Sequence, residues 1–340
     1  MRILTIGSAT IDIILKSKDF QTKEDDEFET HKAQCFSYGS KLEVDEANFY
    51  LGGGALNTGF SFARMGLPVE SYAKIGDDFL GDTIRAFIQK QKIEGLHIEE
   101  VKFPGRSEFS VILVSESGER TILTYHPESC ATWDLQELPH DVNQSFIYIA
   151  STGKMPNTDW GSYMHQMKQK ENMIAINPSR QLLEHIADDG VAVLNLADIV
   201  LMNEEEGNML FRKQLPADLL IKEVRSVIKY PFLVAITPGK DRAYIAYQDV
   251  CFSVSAAQVE QVVDVTGAGD AFGSGLCASL IKDIQDVHNK DELTKEVVIT
   301  AAKKATARAA TVIGHLGAHN TKEDVFDEHQ PKDVVIQLID

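Results

Sequence analysis

A carboxylate follows a glycine-rich turn in the last quarter of the chain, in the stretch DVTGAGDAF at residues 264–272. Glycines let the backbone approach a bulky anion, and a helix that starts there directs its free N–H groups and positive dipole end toward it. An acid beside a bound anion costs energy unless it accepts a proton from an attacking hydroxyl or holds a metal ion. Asp270 is therefore a candidate general base or metal ligand, with helix capping as the alternative role.

Neither of the two common phosphate-loop patterns is present. The Walker A pattern occurs nowhere in the chain, and Phe272 occupies the third glycine position of the dinucleotide-binding pattern. A second glycine-rich stretch, LGGGALNTG at residues 51–59, fails the same test because Asn57 occupies its third glycine position. The amide of Asn57 both donates and accepts hydrogen bonds, which suits a hydroxylated ligand. A Rossmann dehydrogenase is accordingly disfavoured.

The scaffold that positions these two stretches is predicted to be α/β. Strand-like and helix-like segments alternate along the chain, as in a parallel sheet with helices on its faces. The predicted strands are 2–6, 69–75, 146–150, 173–176, 199–202 and 232–237, and the predicted helices are 55–65, 79–93, 219–228, 271–284 and 301–310. The whole chain, residues 1–340, is predicted to form one large domain, since α/β domains reach this length.

Two segments interrupt the alternation of strands and helices. Residues 11–50 contain an acidic, polar run and no clear helix, and residues 98–125 alternate apolar and polar residues around a Ser-Gly turn. Both segments are predicted to be strands of a small sheet inserted into the α/β core. A small sheet beside such a core is suited to act as a lid.

Composition restricts the classes of function. The formal net charge of −18 argues against general nucleic-acid binding, which relies on Lys and Arg. No apolar run reaches the roughly 18 residues that span a membrane, and the chain opens without a signal peptide, so a cytoplasmic location is expected. The four cysteines are widely spaced and are expected to be reduced thiols.

The combination of motifs resembles the PfkB, or ribokinase-like, family of carbohydrate and nucleoside kinases. Its N-terminal signature is matched by GGGALN at residues 52–57, by ARMG at 63–66 and by IGDDFLG at 75–81, and its C-terminal signature by residues 264–272. Motif order and spacing match over nearly the whole chain. The resemblance implies a three-layer α/β/α ribokinase-like core with a small β-sheet lid, and an acceptor hydroxyl phosphorylated by ATP with Mg²⁺.

The resemblance also assigns roles to individual residues. It implies that Asp270 is the catalytic base, that Gly267, Ala268 and Gly269 form the anion hole, and that Asp12, Gly53, Gly54 and Asn57 bind the acceptor. It further implies that Asn203, Thr237, Gly239 and Gly317 bind the nucleotide, and that Glu206 acts on Mg²⁺ through water. Asp264 and Thr266 are implied as ligands of a K⁺ ion, and whether the protein requires K⁺ stays open. For Glu206, an acidic helix N-terminus is the alternative interpretation.

The chain departs from the family pattern at one loop. The family loop reads T-x-G-x-x-G, whereas this chain has TPGKDR at residues 237–242, with Arg242 in place of the second glycine. The shape of the nucleotide-side loop is therefore open. His315 and His319 are four residues apart, but Gly317 between them disfavours a continuous helix and hence a metal pair.

Taken together, the sequence predicts a cytoplasmic, ATP-dependent kinase that phosphorylates a hydroxymethyl group of a small sugar. Two alternatives stay open: a nucleoside kinase, and a catalytically silent sugar- or nucleotide-sensing protein on the same fold. Relatives that pair their lid sheets make a homodimer the expected assembly. The sequence does not identify the acceptor.

Overall fold

The computed structural model describes residues 1–28, 31–115, 120–127, 130, 133–152, 160–186, 189–239, 241–284, 293–318 and 333–339. Within them, three sheets are formed: a sheet of ten strands, one of four strands and one of two. The metal pair of His315 and His319, which the sequence disfavours, cannot be assessed because His319 lies outside the described residues.

The ten-stranded sheet is the centre of the molecule, in the order β16-β15-β14-β13-β12-β11-β10-β1-β6-β7. The seven strands from β13 to β7 are parallel, and β14, β15 and β16 continue the sheet in antiparallel fashion. Their bounds are Ile3–Ser8 (β1), Val69–Gly76 (β6), Leu96–Phe103 (β7), Phe146–Ile149 (β10), Met173–Ile176 (β11), Ile199–Asn203 (β12), Leu233–Thr237 (β13), Arg242–Tyr247 (β14), Val250–Ser255 (β15) and Ile336–Leu338 (β16).

Helices cover both faces of this sheet. Their bounds are Gly54–Arg64 (α1), Phe79–Gln91 (α2), Trp160–Gln169 (α3), Arg180–His185 (α4), Gly190–Leu194 (α5), Glu204–Phe211 (α6), Ala217–Val227 (α7), Ala268–Ile284 (α8) and Lys295–Ile313 (α9). Successive residues of β10 belong to opposite cores: Phe146 and Tyr148 pack beneath α1, α8 and α9, while Ile147 packs beneath α3 and α7. This two-sided burial explains why the central strands are continuously apolar.

The four-stranded sheet lies beside the core in the order β5-β2-β8-β9. We call it the small sheet; its strands are Thr10–Lys16 (β2), Glu46–Gly52 (β5), Glu108–Val114 (β8) and Arg120–Tyr125 (β9). A separate hairpin joins Gln21–Glu24 (β3) to Lys32–Cys35 (β4). Only Ala9 separates β1 from β2, so a central strand runs almost directly into the small sheet. The small sheet is therefore tied to the carboxyl end of a core strand.

The α/β/α architecture and the predicted core strands are confirmed, and one boundary was wrong. Residues 98–103 were assigned to the small sheet, but they belong to β7, which pairs with β6 at the edge of the central sheet. At this edge β7 is partly solvated and alternates half-buried and exposed residues over most of its length, as a small-sheet strand would. The antiparallel strands β14 to β16 were not predicted.

No helix among the described residues is long and apolar enough to cross a membrane. All four cysteines are free thiols. The helix predicted at 271–284 begins three residues earlier, at Ala268, so Gly269 and Asp270 belong to its first turn.

Candidate active site

Two clefts meet at Asp270, where the small sheet approaches the carboxyl ends of the central strands. The small-sheet cleft, of about 240 Å³, is lined by Ser8, Thr10, Asp12, Gly53, Gly54, Asn57, Glu108, Ser110, His126, Ser151, Gln181, Thr266, Gly267 and Asp270. The central-sheet cleft, of about 200 Å³, is lined by Ser151, Asn177, Pro178, Ser179, Leu201, Met202, Asn203, Glu206, Ala235, Thr237, Gly269, Asp270 and Phe272. Asp270 and Ser151 line both clefts. This is the edge at which open α/β sheets bind ligands.

The Asp270 carboxyl lies in the first turn of α8, at the junction of the clefts. Burial raises its pKa to about 6, and the hydrogen bond from Asn57 opposes part of that rise. A carboxylate with this pKa is ionised at neutral pH yet basic enough to accept a proton. The geometry therefore suits a general base acting on a hydroxyl in the small-sheet cleft.

Asn57 connects the two glycine-rich stretches through its side chain. It lies on α1, and its Nδ2 donates a hydrogen bond of 2.7 Å to Asp270 Oδ2. Its Oδ1 is buried and has no hydrogen-bond partner among the described residues. Because a buried acceptor without a partner is costly, this oxygen is suited to accept a hydrogen bond from a ligand hydroxyl.

The glycines beside Asn57 bring the start of α1 close to the core. Gly53 has a φ of 95°, and a Cβ there would lie 2.5 Å from the carbonyl oxygen of Ser8. A Cβ at Gly54 would lie 2.7 Å from Ala150 Cβ. Only glycine fits these two positions, and both residues line the small-sheet cleft with their backbone.

The turn before α8 borders the junction of the two clefts at Asp270. Gly267 has a φ of 76°, and a Cβ there would lie 2.6 Å from Ala318 Cβ, so the turn requires glycine. The N–H of Ala268 donates to Val265 O at 3.2 Å, so within the expected anion hole this group already has an acceptor. Gly267 lines the small-sheet cleft and Gly269 the central-sheet cleft, so the turn borders both sides of the junction.

Asp12 projects from the small sheet and is 5% exposed. Thr10 Oγ1 lies 3.5 Å from its Oδ1, and Ser110 also hydrogen-bonds the carboxylate. Burial raises the pKa of Asp12 to about 6, to which the nearby Asp264 charge contributes. Asp12 and Asp270 thus both line the small-sheet cleft, and both are carboxyl groups whose pKa is raised to about 6.

A buried acid and a histidine complete the small-sheet cleft. Glu108, on β8, is 4% exposed, and its Oε2 lies 3.4 Å from His126 Nδ1. The hydrogen bond with Glu108 raises the pKa of His126. Neither residue was predicted, because nothing in the sequence distinguishes them from other polar residues of the small sheet.

Asn203 and Glu206 form a capping box at the start of α6. Asn203 Oδ1 accepts from Glu206 N at 2.7 Å, and Glu206 Oε2 accepts from Asn203 N at 2.8 Å. Both residues also line the central-sheet cleft, and burial raises the pKa of Glu206 to about 7. The capping role and a position in the cleft therefore coexist at Glu206.

Of the other residues predicted on the nucleotide side, Thr237 lies in the central-sheet cleft and Gly239 does not. Thr237 ends β13 and lines the central-sheet cleft, whereas Gly239, with a φ of 114°, lines neither cleft. Arg242 is the first residue of β14 and lies 3.5 Å from Ser253 Oγ. The arginine that replaces the expected glycine is therefore part of a strand and reaches along the sheet.

Asp264 and Thr266, the expected K⁺ ligands, are hydrogen-bonded to each other, and Asp264 also contacts Gly317 and Arg120. Asp264 Oδ1 accepts from Thr266 N at 2.9 Å and from Thr266 Oγ1 at 2.7 Å, and Oδ2 accepts from Gly317 N at 3.0 Å. Arg120 Nη1 on β9 lies 3.3 Å from Oδ1. Gly317 packs against Tyr50 of the small sheet, and a Cβ there would lie 2.5 Å from the ring.

Sequence reasoning missed several residues of the central-sheet cleft. Ser151 follows β10 and Asn177 follows β11 at the carboxyl ends of adjacent parallel strands. Polar residues directly after buried parallel strands were the signal available for both. Within the part of the chain that the structure describes, no group of three or more His, Cys, Asp or Glu residues is arranged to hold a metal ion.

The chain is similar to known carbohydrate kinases over most of its length. The family model described as pfkB family carbohydrate kinase matches residues 1–324. The chain is 25% identical over 257 residues to an ATP-dependent 6-phosphofructokinase of Thermoanaerobacterium thermosaccharolyticum, covering 72% of this chain and 77% of that one. It is 26% identical over 292 residues to a fructokinase of Escherichia coli, covering 82% and 91%.

A solved structure shows the same fold. The adenosine kinase of Sinorhizobium meliloti superposes with a TM-score of 0.70 at 22% sequence identity, covering 93% of this chain and 95% of that one. At this identity the similarity concerns the fold alone. By their names, these relatives act on a sugar phosphate, a sugar and a nucleoside, so they do not agree on one acceptor.

Proposed function

The chain belongs to the pfkB family of carbohydrate kinases, and on that premise we propose that it transfers the γ-phosphoryl group of ATP to a hydroxymethyl group of a small, uncharged sugar. The observation that carries this proposal is the position of Asp270, which among the described residues is joined only by Ser151 in lining both clefts. A base at the junction of two ligand sites can accept the proton of a hydroxyl in one while that hydroxyl attacks a phosphoryl group in the other.

The small-sheet cleft is proposed to bind the acceptor. Asp12 accepts hydrogen bonds from sugar hydroxyls, and the unpartnered Oδ1 of Asn57 accepts another. The small sheet lies over this cleft, where closure would exclude water and suppress ATP hydrolysis. These groups position a hydroxymethyl group against Asp270.

Charge in the small-sheet cleft supports an uncharged acceptor. Its lining includes the carboxylates of Asp12, Glu108 and Asp270, whereas no lysine or arginine belongs to that lining among the described residues. Of the lining residues that the structure describes, His126 is the one basic side chain, and it already pairs with Glu108. A sugar phosphate or sugar acid would meet like charge, which raises the free energy of binding.

The central-sheet cleft is proposed to bind the phosphates of ATP with Mg²⁺. Asn177, Asn203 and Glu206 offer the oxygen ligands that Mg²⁺ prefers, and the Asn203–Glu206 capping box fixes both side chains. When bound, Mg²⁺ would neutralise charge on the transferred phosphate. The positive end of α8 and the turn at Gly267 and Gly269 act on the same charge.

A homodimer is the proposed assembly. Strand β9 is an edge of the small sheet, and Ile122 and Leu123 on it are 44% and 53% exposed. An exposed apolar edge strand favours pairing with another chain. The cytoplasm is the proposed location, since it supplies ATP and keeps thiols such as the four free cysteines reduced.

A panel of acceptors tests the proposed function. The purified chain is assayed for ADP release with fructose, ribose, adenosine, fructose 6-phosphate and a 2-keto-3-deoxy sugar acid, each with Mg²⁺ and ATP. We expect turnover with a neutral sugar and weak or no turnover with the two anionic acceptors. Preference for adenosine would support the nucleoside kinase alternative, and preference for an anionic acceptor would contradict the charge argument. Nucleotide binding without turnover on any acceptor would support the sensing protein.

A further inference from the structure

We propose that Arg120 occupies, as a built-in cation, the position at Asp264 that the family resemblance assigns to K⁺, and that it thereby ties the small sheet to the phosphate-binding turn. The proposal rests on the proposed function, in which residues 264–269 form the turn that binds the transferred phosphate. Arg120 is the first residue of β9, and Asp264 lies three residues before Gly267. Their ion pair joins elements that are 144 residues apart in the chain.

The carboxylate of Asp264 is already supplied with donors. Two come from Thr266, one from Gly317 and one from Arg120, at distances between 2.7 and 3.3 Å. Three of these donors converge on Oδ1 and one binds Oδ2. A K⁺ ion needs oxygen lone pairs, and at Oδ1 they are already directed at N–H and O–H groups.

Charge leads to the same conclusion. Asp264 is 5% exposed, and a buried carboxylate requires a compensating positive charge. The guanidinium of Arg120 supplies it, and a second cation at the same oxygen would be repelled. Arg120 and K⁺ are therefore alternatives at this site.

The ion pair connects the small sheet directly to the phosphate-binding turn. Residues 264–267 lead into α8, and the contacts of Asp264 with Thr266 and Gly317 fix the shape of that turn. Arg120 also pairs with Val114 in the β8–β9 ladder, so its backbone is fixed within the small sheet. Arg120 is thus a positioning residue: it acts on the phosphate-binding turn through Asp264.

The experiment compares K⁺ with Na⁺ at equal ionic strength in the wild type, Arg120→Ala, Arg120→Lys and the control Lys16→Gln. Lys16 is also a cation of the small sheet, but it pairs with Glu46 on the exposed surface. Two readouts are taken for each chain: the melting temperature without substrates, and kcat and KM with the acceptor that the panel identifies.

We expect the wild type and Lys16→Gln to respond equally to both salts. In Na⁺, Arg120→Ala should lose about tenfold in kcat, with a smaller change in acceptor KM, as for other residues that position a site through a neighbour. K⁺ should restore part of that kcat and raise the melting temperature of Arg120→Ala alone. Arg120→Lys should stay close to the wild type, because it keeps a charge at Asp264.

Three results would overturn the proposal. The first is a wild type whose melting temperature or rate is raised by K⁺ while Arg120 is intact. The second is an Arg120→Ala chain that matches the wild type in both salts, and the third is a loss that K⁺ restores in neither readout. If no acceptor is phosphorylated, the proposed function fails, while the melting temperatures still decide the role of Arg120.

Discussion

The side-chain amide of Asn57 donates a 2.7 Å hydrogen bond to the Asp270 carboxylate across 213 residues of sequence. This contact joins the start of α1 to the start of α8, the two helices that begin at glycine-rich turns. It also favours the ionised form of Asp270, whose pKa burial would otherwise raise further. The pairing therefore tunes the proposed base as well as positioning it.

Replacement of Asp270 by asparagine should abolish most turnover while preserving acceptor binding. Asn keeps the size of the side chain and cannot accept the proton, so kcat should fall by at least roughly 10²-fold. Steady-state kinetics and calorimetric binding of the acceptor measure the two effects. Asp283→Asn, at the exposed end of the same helix, is the control and should keep wild-type kcat. Near wild-type turnover by Asp270→Asn would remove Asp270 from the mechanism.

Removal of the Asn57 amide should shift the pH dependence of the reaction. Asp270 must be ionised to act as a base, so kcat of the wild type should rise with pH through about 6. Asn57→Leu removes the donor that stabilises the carboxylate, which raises the pKa of Asp270 and moves the acidic limb to higher pH. The pH–rate profile measures this shift. An unchanged acidic limb would show that another group controls it.

Asp12→Ala should weaken binding of the acceptor much more than binding of ATP. Asp12 is buried in the small-sheet cleft, and its loss leaves acceptor hydroxyls without partners. We expect acceptor KM to rise by an amount equivalent to about 1–3 kcal/mol, with ATP KM barely altered. Glu46→Ala, on the exposed surface of the same sheet, is the matched control. Equal changes in both KM values would place the acceptor elsewhere.

Glu206→Gln should separate the Mg²⁺ role from the capping role. Gln can still complete the capping box but carries no charge for Mg²⁺-bound water, so half-maximal rate should require more Mg²⁺ while acceptor KM changes little. Glu205→Gln, one residue away and paired with Arg180, serves as the control. A Mg²⁺ titration that Glu206→Gln leaves unchanged would assign this residue to capping alone.

The same substitution should change stability in a pH-dependent way. Burial raises the pKa of Glu206 from 4.5 to about 7, so between these values the folded chain binds more protons than the unfolded chain. The wild type therefore loses stability as pH rises through this window. Gln cannot ionise, so the melting temperature of Glu206→Gln relative to wild type should be higher at pH 8 than at pH 5. A difference that is constant with pH would contradict the raised pKa.

A charge on the exposed edge of the small sheet should disrupt the proposed dimer. Leu123→Lys places a cation on β9, where burial against a second copy would cost its desolvation. Light scattering after size-exclusion chromatography should show a dimeric wild type and a monomeric variant. Leu219→Lys, exposed on α7 of the core, should stay dimeric. A monomeric wild type would refute the assembly.

The sequence alone determined the scaffold and the chemistry of its glycine-rich turns. Buried parallel strands need apolar residues on both faces, so β1, β10 and β13 could be located from composition. The residues around Asp270 also follow local rules, because a helix N-terminus after glycines accepts anions wherever it lies. The sequence did not assign the edge strand β7 to the central sheet, since its solvated face gives it the alternating pattern of a small-sheet strand.

The tertiary structure decided which side chains share a site. Asn57 and Asp270, Glu108 and His126, and Arg120 and Asp264 are pairs whose members come from different elements. Local pattern cannot specify such pairs, because each depends on how the small sheet and the helices pack on the central sheet. Burial set their electrostatics too, raising the pKa of Asp270 and Asp12 to about 6, because desolvation exists only once the chain has folded around them.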